Sequence, residues 1–259
     1  HDGEKIPISI IKRKDTPKNA PTLLYGYGSY GISISPSFSV SRLSLIDRGM
    51  VYAIAHIRGG MEKGKKWYEN GKKKNKLNSF KDFITCAEFL KKENISKNIT
   101  IHGGSAGGLL IGASLNISPD TFHCAVAEVP FVDVLNTILD DTLPLTPPEW
   151  EEWGNPIKNK SDFDYIGSYS PYDNIKEQNY PAILATSGLT DPRVTYWEAT
   201  KWIAKLRSKK TNDNPLFLKT YTEAGHGGMA GRYNQIKETA FVYAFILWRN
   251  NLIKRSFSS

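Results

Sequence analysis

A serine hydroxyl is a weak nucleophile at neutral pH, and this chain carries one in the setting that changes that. Gly103-Gly104-Ser105-Ala106-Gly107-Gly108 fits Gly-x-Ser-x-Gly, the strained turn that lifts a serine off a strand and onto a helix N-terminus. Small residues on both sides suit such a turn, because strand and helix pack closely there. The serine then needs a base to take its proton and an acid to orient that base. Of the five histidines, His1 is terminal, His56 and His102 lie in strand-like runs, and His123 sits beside a buried strand. His226 differs, lying in Ala224-Gly225-His226-Gly227-Gly228, a flexible loop after the last strand-like run. Among the acids, Asp191 follows the strand-like residues 182–186 through Ser187-Gly188-Leu189-Thr190. Asp213 sits in a polar turn and Glu223 stands too near His226 in the chain. The order Ser105, Asp191, His226 is the α/β-hydrolase order, and the chemistry would be acyl transfer through a covalent ester.

Those residues must be held by elements. Strand-like runs cover 6–11, 22–25, 50–57, 99–102, 124–129, 182–186 and 216–220, and helix-like runs cover 38–47, 79–93, 106–116, 196–208 and 235–250. Phe80, Phe83, Ile84, Ala87 and Leu90 keep helical spacing. Strands alternating with helices predict an α/β fold with a mostly parallel twisted sheet, of about eight strands, and helices on both faces. Residues 144–174, with five prolines and many aromatics, break the rhythm and are expected to cover one end of the sheet. There α/β sites form. All 259 residues are expected to make one domain.

Composition sets bounds. At 40% hydrophobic and 12% aromatic content the chain is globular, and it has no apolar run of the ~18 residues that a membrane span needs. Cys86 and Cys124 lie in apolar patterns and form no disulfide framework, which points to a reducing cytoplasm. No His or Cys spacing suggests a metal, and no cofactor is expected. His1 opens the sequence where Met would stand, so the chain is expected to begin inside a longer polypeptide or to have been trimmed, with no signal peptide. The formal charge is +8 and uneven. Lys63, Lys65, Lys66, Lys72, Lys73, Lys74 and Lys76 form a basic cluster, whereas residues 133–152 hold Asp133, Asp140, Asp141, Glu149, Glu151 and Glu152 without a Lys or Arg. The basic cluster fits no known nucleic-acid-binding motif, and its Gly and Asn residues suit a solvated loop, so nucleic acid is not an expected partner.

Gly26-Tyr27-Gly28-Ser29-Tyr30-Gly31 fits Gly-x-Gly-x-x-Gly after a strand, with Asp47 about 20 residues further on. Two features argue against a dinucleotide site. Asp47 precedes the next strand rather than ending it, and Ile-Ser-Ile-Ser-Pro after Gly31 opens no helix that could hold a pyrophosphate.

Eight stretches, in order, resemble a known family. They are Leu-Tyr-Gly-Tyr-Gly-Ser-Tyr-Gly (24–31), Arg58-Gly59-Gly60, the Ser105 turn, Val129-Pro130-Phe131-Val132-Asp133, Glu152-Trp153-Gly154-Asn155-Pro156, Ser170-Pro171-Tyr172-Asp173-Asn174, Asp191-Pro192-Arg193-Val194 and Gly225-His226-Gly227-Gly228. Together they resemble the peptidase domain of the prolyl oligopeptidase family of serine peptidases, and within it the oligopeptidase B branch.

The resemblance implies an α/β-hydrolase fold and these roles: Ser105 as nucleophile, His226 as base and Asp191 as its orienter. It also implies an oxyanion site made by the Ala106 N–H and the Tyr27 hydroxyl, and a substrate carbonyl held by Arg193. Glu149 and Glu151 match the acids that accept a basic P1 side chain. If that segment is extended, positions i and i+2 share a face, and the base-free acidic stretch would draw a cation. The expected substrate is therefore an oligopeptide cut after Arg or Lys. Ser35 and Ser37 stand where bacterial members carry two acids, so the resemblance leaves the preference for a second basic residue at P2 open. The family also has an N-terminal β-propeller, absent from these residues, which is expected to have been excised from a longer chain, lost by truncation of the gene, or supplied by a separate chain of a split gene. The alternatives are a prolyl-specific, aminopeptidase-like or esterase relative, or an inactive fragment.

Overall fold

The computed structural model describes residues 1–253. Its strands are β1 (Ile8–Ile11), β2 (Thr22–Tyr25), β3 (Val51–Ala55), β4 (Ile99–Gly104), β5 (Cys124–Glu128), β6 (Ala182–Gly188) and β7 (Leu216–Tyr221). Its helices are α1 (Val40–Ile46), α2 (Lys65–Glu69), α3 (Leu77–Lys92), α4 (Ala106–Ile117), α5 (Val134–Leu139), α6 (Thr146–Trp153), α7 (Lys160–Tyr169), α8 (Tyr196–Lys209) and α9 (Arg232–Arg249). All seven strands join one sheet in the order β1-β3-β2-β4-β5-β6-β7, one fewer than the about eight expected. Only β1 runs antiparallel to its neighbour.

The middle strands are buried on both faces, so they read as near-continuous apolar runs rather than alternating ones. Their side chains still point alternately up and down. Leu24, Ile99, Ile101, Ala125, Ala127, Ile183 and Ala185 face a core shared with α3, α4 and α8. Leu23, Tyr52, Ile54, Cys124, Val126, Ala182 and Leu184 face a second core closed by α1 and α9. α3 buries the stripe of Phe80, Phe83, Ile84, Ala87 and Leu90 that its spacing predicts. α4 has no polar face in its first ten residues, all of which are buried. It runs through the interior behind β4.

Sheet direction places the site. β2, β4, β5, β6 and β7 are parallel, so the loops that leave them emerge at one edge. Those loops carry Tyr27, Ser105, residues 129–181, Asp191 and His226. β2 lies between β3 and β4. The strand order therefore reverses beside Tyr27 and Ser105, the place where open α/β sheets form their crevice.

The broken rhythm of residues 144–174 is helical, with α6 and α7 inside it. α2 and α5 are also helices that sequence spacing did not signal. Each is only one or two turns long, too short for a periodic apolar pattern to show.

Candidate active site

Ser105 joins β4 to α4 with φ 55° and ψ −121°, a backbone region that a side chain rarely occupies. The glycines around it permit the turn. A Cβ on Gly103 would lie 2.5 Å from the Gly107 carbonyl oxygen, and one on Gly108 would lie 2.4 Å from Pro130 Cα. The Ser105 N–H donates to the Glu128 carbonyl (2.9 Å), and its carbonyl accepts from Phe131 N (3.0 Å). The turn is thus tied to the end of β5. Ala106 opens α4, so its N–H has no partner within the helix.

The structure brings Ser105, His226 and Asp191 together. His226 Nε2 lies 3.1 Å from Ser105 Oγ, and Nδ1 lies 2.7 Å from Asp191 Oδ2. The other carboxylate oxygen, Oδ1, accepts the backbone N–H groups of Arg193 (2.8 Å) and Val194 (3.0 Å). Burial raises the Asp191 pKa, but the bonds from His226 and these two amides outweigh it and hold the carboxyl below its ordinary value. The other histidines have structural partners: His56 with Ser9 (2.8 Å), His102 with Glu128 (2.5 Å), His123 with the Arg249 carbonyl (2.7 Å) and His1 with Asp82 (3.0 Å).

Ser105, Ala106 and His226 open on a cleft of about 450 Å³ also lined by Tyr27, Phe131, Glu149, Arg193 and Glu198. The Tyr27 ring packs against the first turn of α4, where a Cβ on Gly107 would lie 3.3 Å from its Cδ2. Burial, aided by Tyr25, Glu149 and Glu152, pushes its hydroxyl up to about 12. It therefore stays protonated and able to donate. Arg193 is exposed at the rim.

Glu149 and Glu151 do not share a face. The segment that carries them is helix α6, not an extended strand, and i and i+2 diverge on a helix. Glu149 lines the cleft, where its Oε2 accepts the Tyr30 hydroxyl (2.8 Å) and Trp153 Nε1 (2.7 Å). Glu151 points outward with its side chain 89% exposed, paired with Lys73 at 3.1 Å. The acidic stretch and the basic cluster meet at that pair. The residue that shares Glu149's side of the helix is Glu152, which is buried and accepts Tyr30 N (2.9 Å) and the Tyr68 hydroxyl (2.6 Å).

Sequence reasoning also missed Glu198. It is buried in α8 and reaches the cleft, accepting from Val132 N (2.8 Å), Asp133 N (2.9 Å) and the Thr137 hydroxyl (2.7 Å). Burial outweighs these bonds and pushes its carboxyl up to about 7. One glutamate in an amphipathic helix gives no sequence signal, whereas the Glu149-x-x-Glu152 spacing would have pointed to a shared face had the helix been foreseen. The Gly-rich loop at 26–31 contributes Tyr27 and Tyr30 to the cleft, and Asp47 lies exposed at the end of α1. Among the described residues no cluster of three or more His, Cys, Asp or Glu is placed to hold a metal.

A parallel sheet ending in a strained serine turn, with a histidine and an aspartate supplied by the next loops at the same edge, defines an α/β-hydrolase. The profile of the prolyl oligopeptidase family, Peptidase_S9, matches residues 36–251, and the chain belongs to that family. Curated relatives include dipeptidyl aminopeptidase BI of Pseudoxanthomonas mexicana, 49% identical over 95% of this chain and 35% of its own. Protease 2 of Moraxella lacunata is 48% identical over 95% of this chain and 36% of its own. Among solved structures, oligopeptidase B from Leishmania major superposes with a TM-score of 0.96, at 48% identity, over all of this chain and 36% of that one. Oligopeptidase B from Trypanosoma brucei, solved with covalently bound antipain, gives 0.95 at 50% identity, over 98% of this chain and 36% of that one. The chain thus spans little more than a third of the length of these relatives.

Proposed function

We propose that the chain is the catalytic part of a serine peptidase that hydrolyses oligopeptides on the carboxyl side of Arg or Lys. The observation that carries this reading is the hydrogen-bonded run from Asp191 through His226 to Ser105, at the mouth of a cleft that also contains Glu149. His226 Nε2 takes the proton of Ser105 as Oγ attacks the scissile carbonyl. Asp191 holds the ring in the tautomer that leaves Nε2 free and stabilises the imidazolium. The Ala106 N–H and the Tyr27 hydroxyl receive the oxyanion. His226 then protonates the leaving amine, and a water activated by the same nitrogen releases the acid. Arg193 at the rim holds a substrate carbonyl.

A basic P1 side chain is drawn by the free oxygen of Glu149, with Phe131 as the apolar wall of the same cleft. Protease 2 and oligopeptidase B among the relatives support a peptide substrate. The remaining two thirds of those proteins fit a propeller domain that would act with this one. Two buried free thiols, Cys86 and Cys124, fit a reducing cytoplasm, and no described helix is long and apolar enough to cross a membrane.

A fluorophosphonate probe tests the chemistry and is expected to label wild type at Ser105 but not Ser105→Ala. Folded protein that takes no label would leave an inactive fragment as the better reading. Matched Arg and Pro anilides test specificity, with turnover expected for the first; preference for the second would sink the basic P1 assignment.

A further inference from the structure

Lys76 is the most unusual charge in the molecule. It precedes α3 and is only 1% exposed. Its Nζ donates to the Gly28 carbonyl at 2.5 Å and to Ser29 Oγ at 2.8 Å, and lies 5.1 Å from the centre of the Trp153 ring. Glu152 is the acid that acts on it, and acts through space, since the oxygens of Glu152 are engaged by Tyr30 N and the Tyr68 hydroxyl.

A lysine here has little stabilising purpose. Burial of an ammonium without a contacting counter-ion is costly, and burial pulls this one down to about 8. A cation at a helix N-terminus also opposes the helix dipole. What the ammonium does accomplish is local. It grips residues 28 and 29 of the loop that carries Tyr27. Gly26 N is tied to the His102 carbonyl (3.2 Å), Tyr30 N to Glu152 (2.9 Å) and Gly31 N to the Gly59 carbonyl (2.9 Å). Gly28, with φ 72°, is the bend between these anchors, and Lys76 is its brace.

We propose that Lys76 is a positioning residue of the active site, whose buried ammonium fixes the bend at Gly28–Ser29 and so aims the Tyr27 hydroxyl at the oxyanion. The inference rests on the oxyanion role given to Tyr27 above.

A double-mutant cycle tests it, with kcat, KM and thermal midpoint measured on an Arg anilide. Lys76→Met keeps the volume and removes the charge. It is expected to lower kcat ten-fold or more, with KM within about three-fold and a midpoint near wild type. In a Tyr27→Phe background the same change is expected to cost less than two-fold, because the hydroxyl it aims is gone. Lys76→Met with wild-type kcat, or with its full effect retained beside Tyr27→Phe, overturns the inference. An unchanged kcat in Tyr27→Phe alone overturns the oxyanion reading and this inference together. If Lys76→Met does not fold, Ser29→Ala, which removes one of the two contacts, takes its place in the cycle. A smaller loss of kcat that vanishes beside Tyr27→Phe is then expected, and a loss that persists in full overturns the inference.

Discussion

Ser105 holds a backbone conformation that costs on the order of 1–3 kcal/mol, with φ at 55°. The bonds of its amide and carbonyl to Glu128 and Phe131 keep it there. Because the amide of Ser105 is spent on Glu128, the proposed mechanism leaves the oxyanion to the Ala106 N–H and the Tyr27 hydroxyl. A donor aimed at developing charge contributes about 3 kcal/mol. Tyr27→Phe is therefore expected to lower kcat by roughly 10²-fold with little change in KM; steady-state kinetics on an Arg anilide check this, and an unchanged kcat removes the hydroxyl from the mechanism. Ser105 and its glycines were legible in the sequence, because a strained turn needs particular residue types. Their exchange with residues 128–131 was not, because those partners come from the next strand.

At the scale of elements, α6 decides the P1 assignment. The sequence suggested two acids on one face of an extended segment. The helix turns Glu149 into the cleft, Glu151 out to Lys73, and Glu152 inward to the Tyr27–Tyr30 loop. Glu149→Gln is accordingly expected to lower kcat/KM for Arg and Lys anilides by 10-fold or more, while Glu151→Gln stays within about two-fold, because its exposed side chain points away from the cleft. Equal losses for the two variants would contradict the helical placement. Two consecutive prolines hid this helix, although Pro is at home in a first turn, and a two-turn element has too few residues to show its period. The longer α3 and α9 were legible within two or three residues at each end.

For the whole molecule, buried ionisable groups link stability to pH. Glu198 is raised to about 7 from an ordinary 4.5. Between those values the folded chain binds more protons than the unfolded one, so stability falls as pH rises from 4.5 to 7, by roughly 3 kcal/mol at most. Glu198→Gln keeps an acceptor for the Val132 and Asp133 amides and is expected to flatten that slope, read from urea midpoints at pH 5 and pH 7.5; an unchanged slope would show that Glu198 does not set it. The lowered pKa of Asp191 acts in the opposite sense, contributing stability above its ordinary 3.8 that is lost as pH falls through its lower folded value. Burial pushes the thiols of Cys86 to about 12 and Cys124 to about 11. Both are expected to resist iodoacetamide at pH 8 until the chain unfolds globally, whereas fast native labelling would mean that the core opens locally.

By itself the sequence determined the alternation of strands and helices, the serine turn, and the loops after β6 and β7 that hold Asp191 and His226. Each of these is written in local patterns: apolar period, glycine at a strained turn, polar residues past a strand. Tertiary structure alone decided which acid faces the cleft, that Glu198 lies in its wall, and that Lys76 is buried against the Tyr27 loop. Those outcomes depend on which side chains distant segments bring within 3 Å of one another, and no periodicity along one chain encodes that distance.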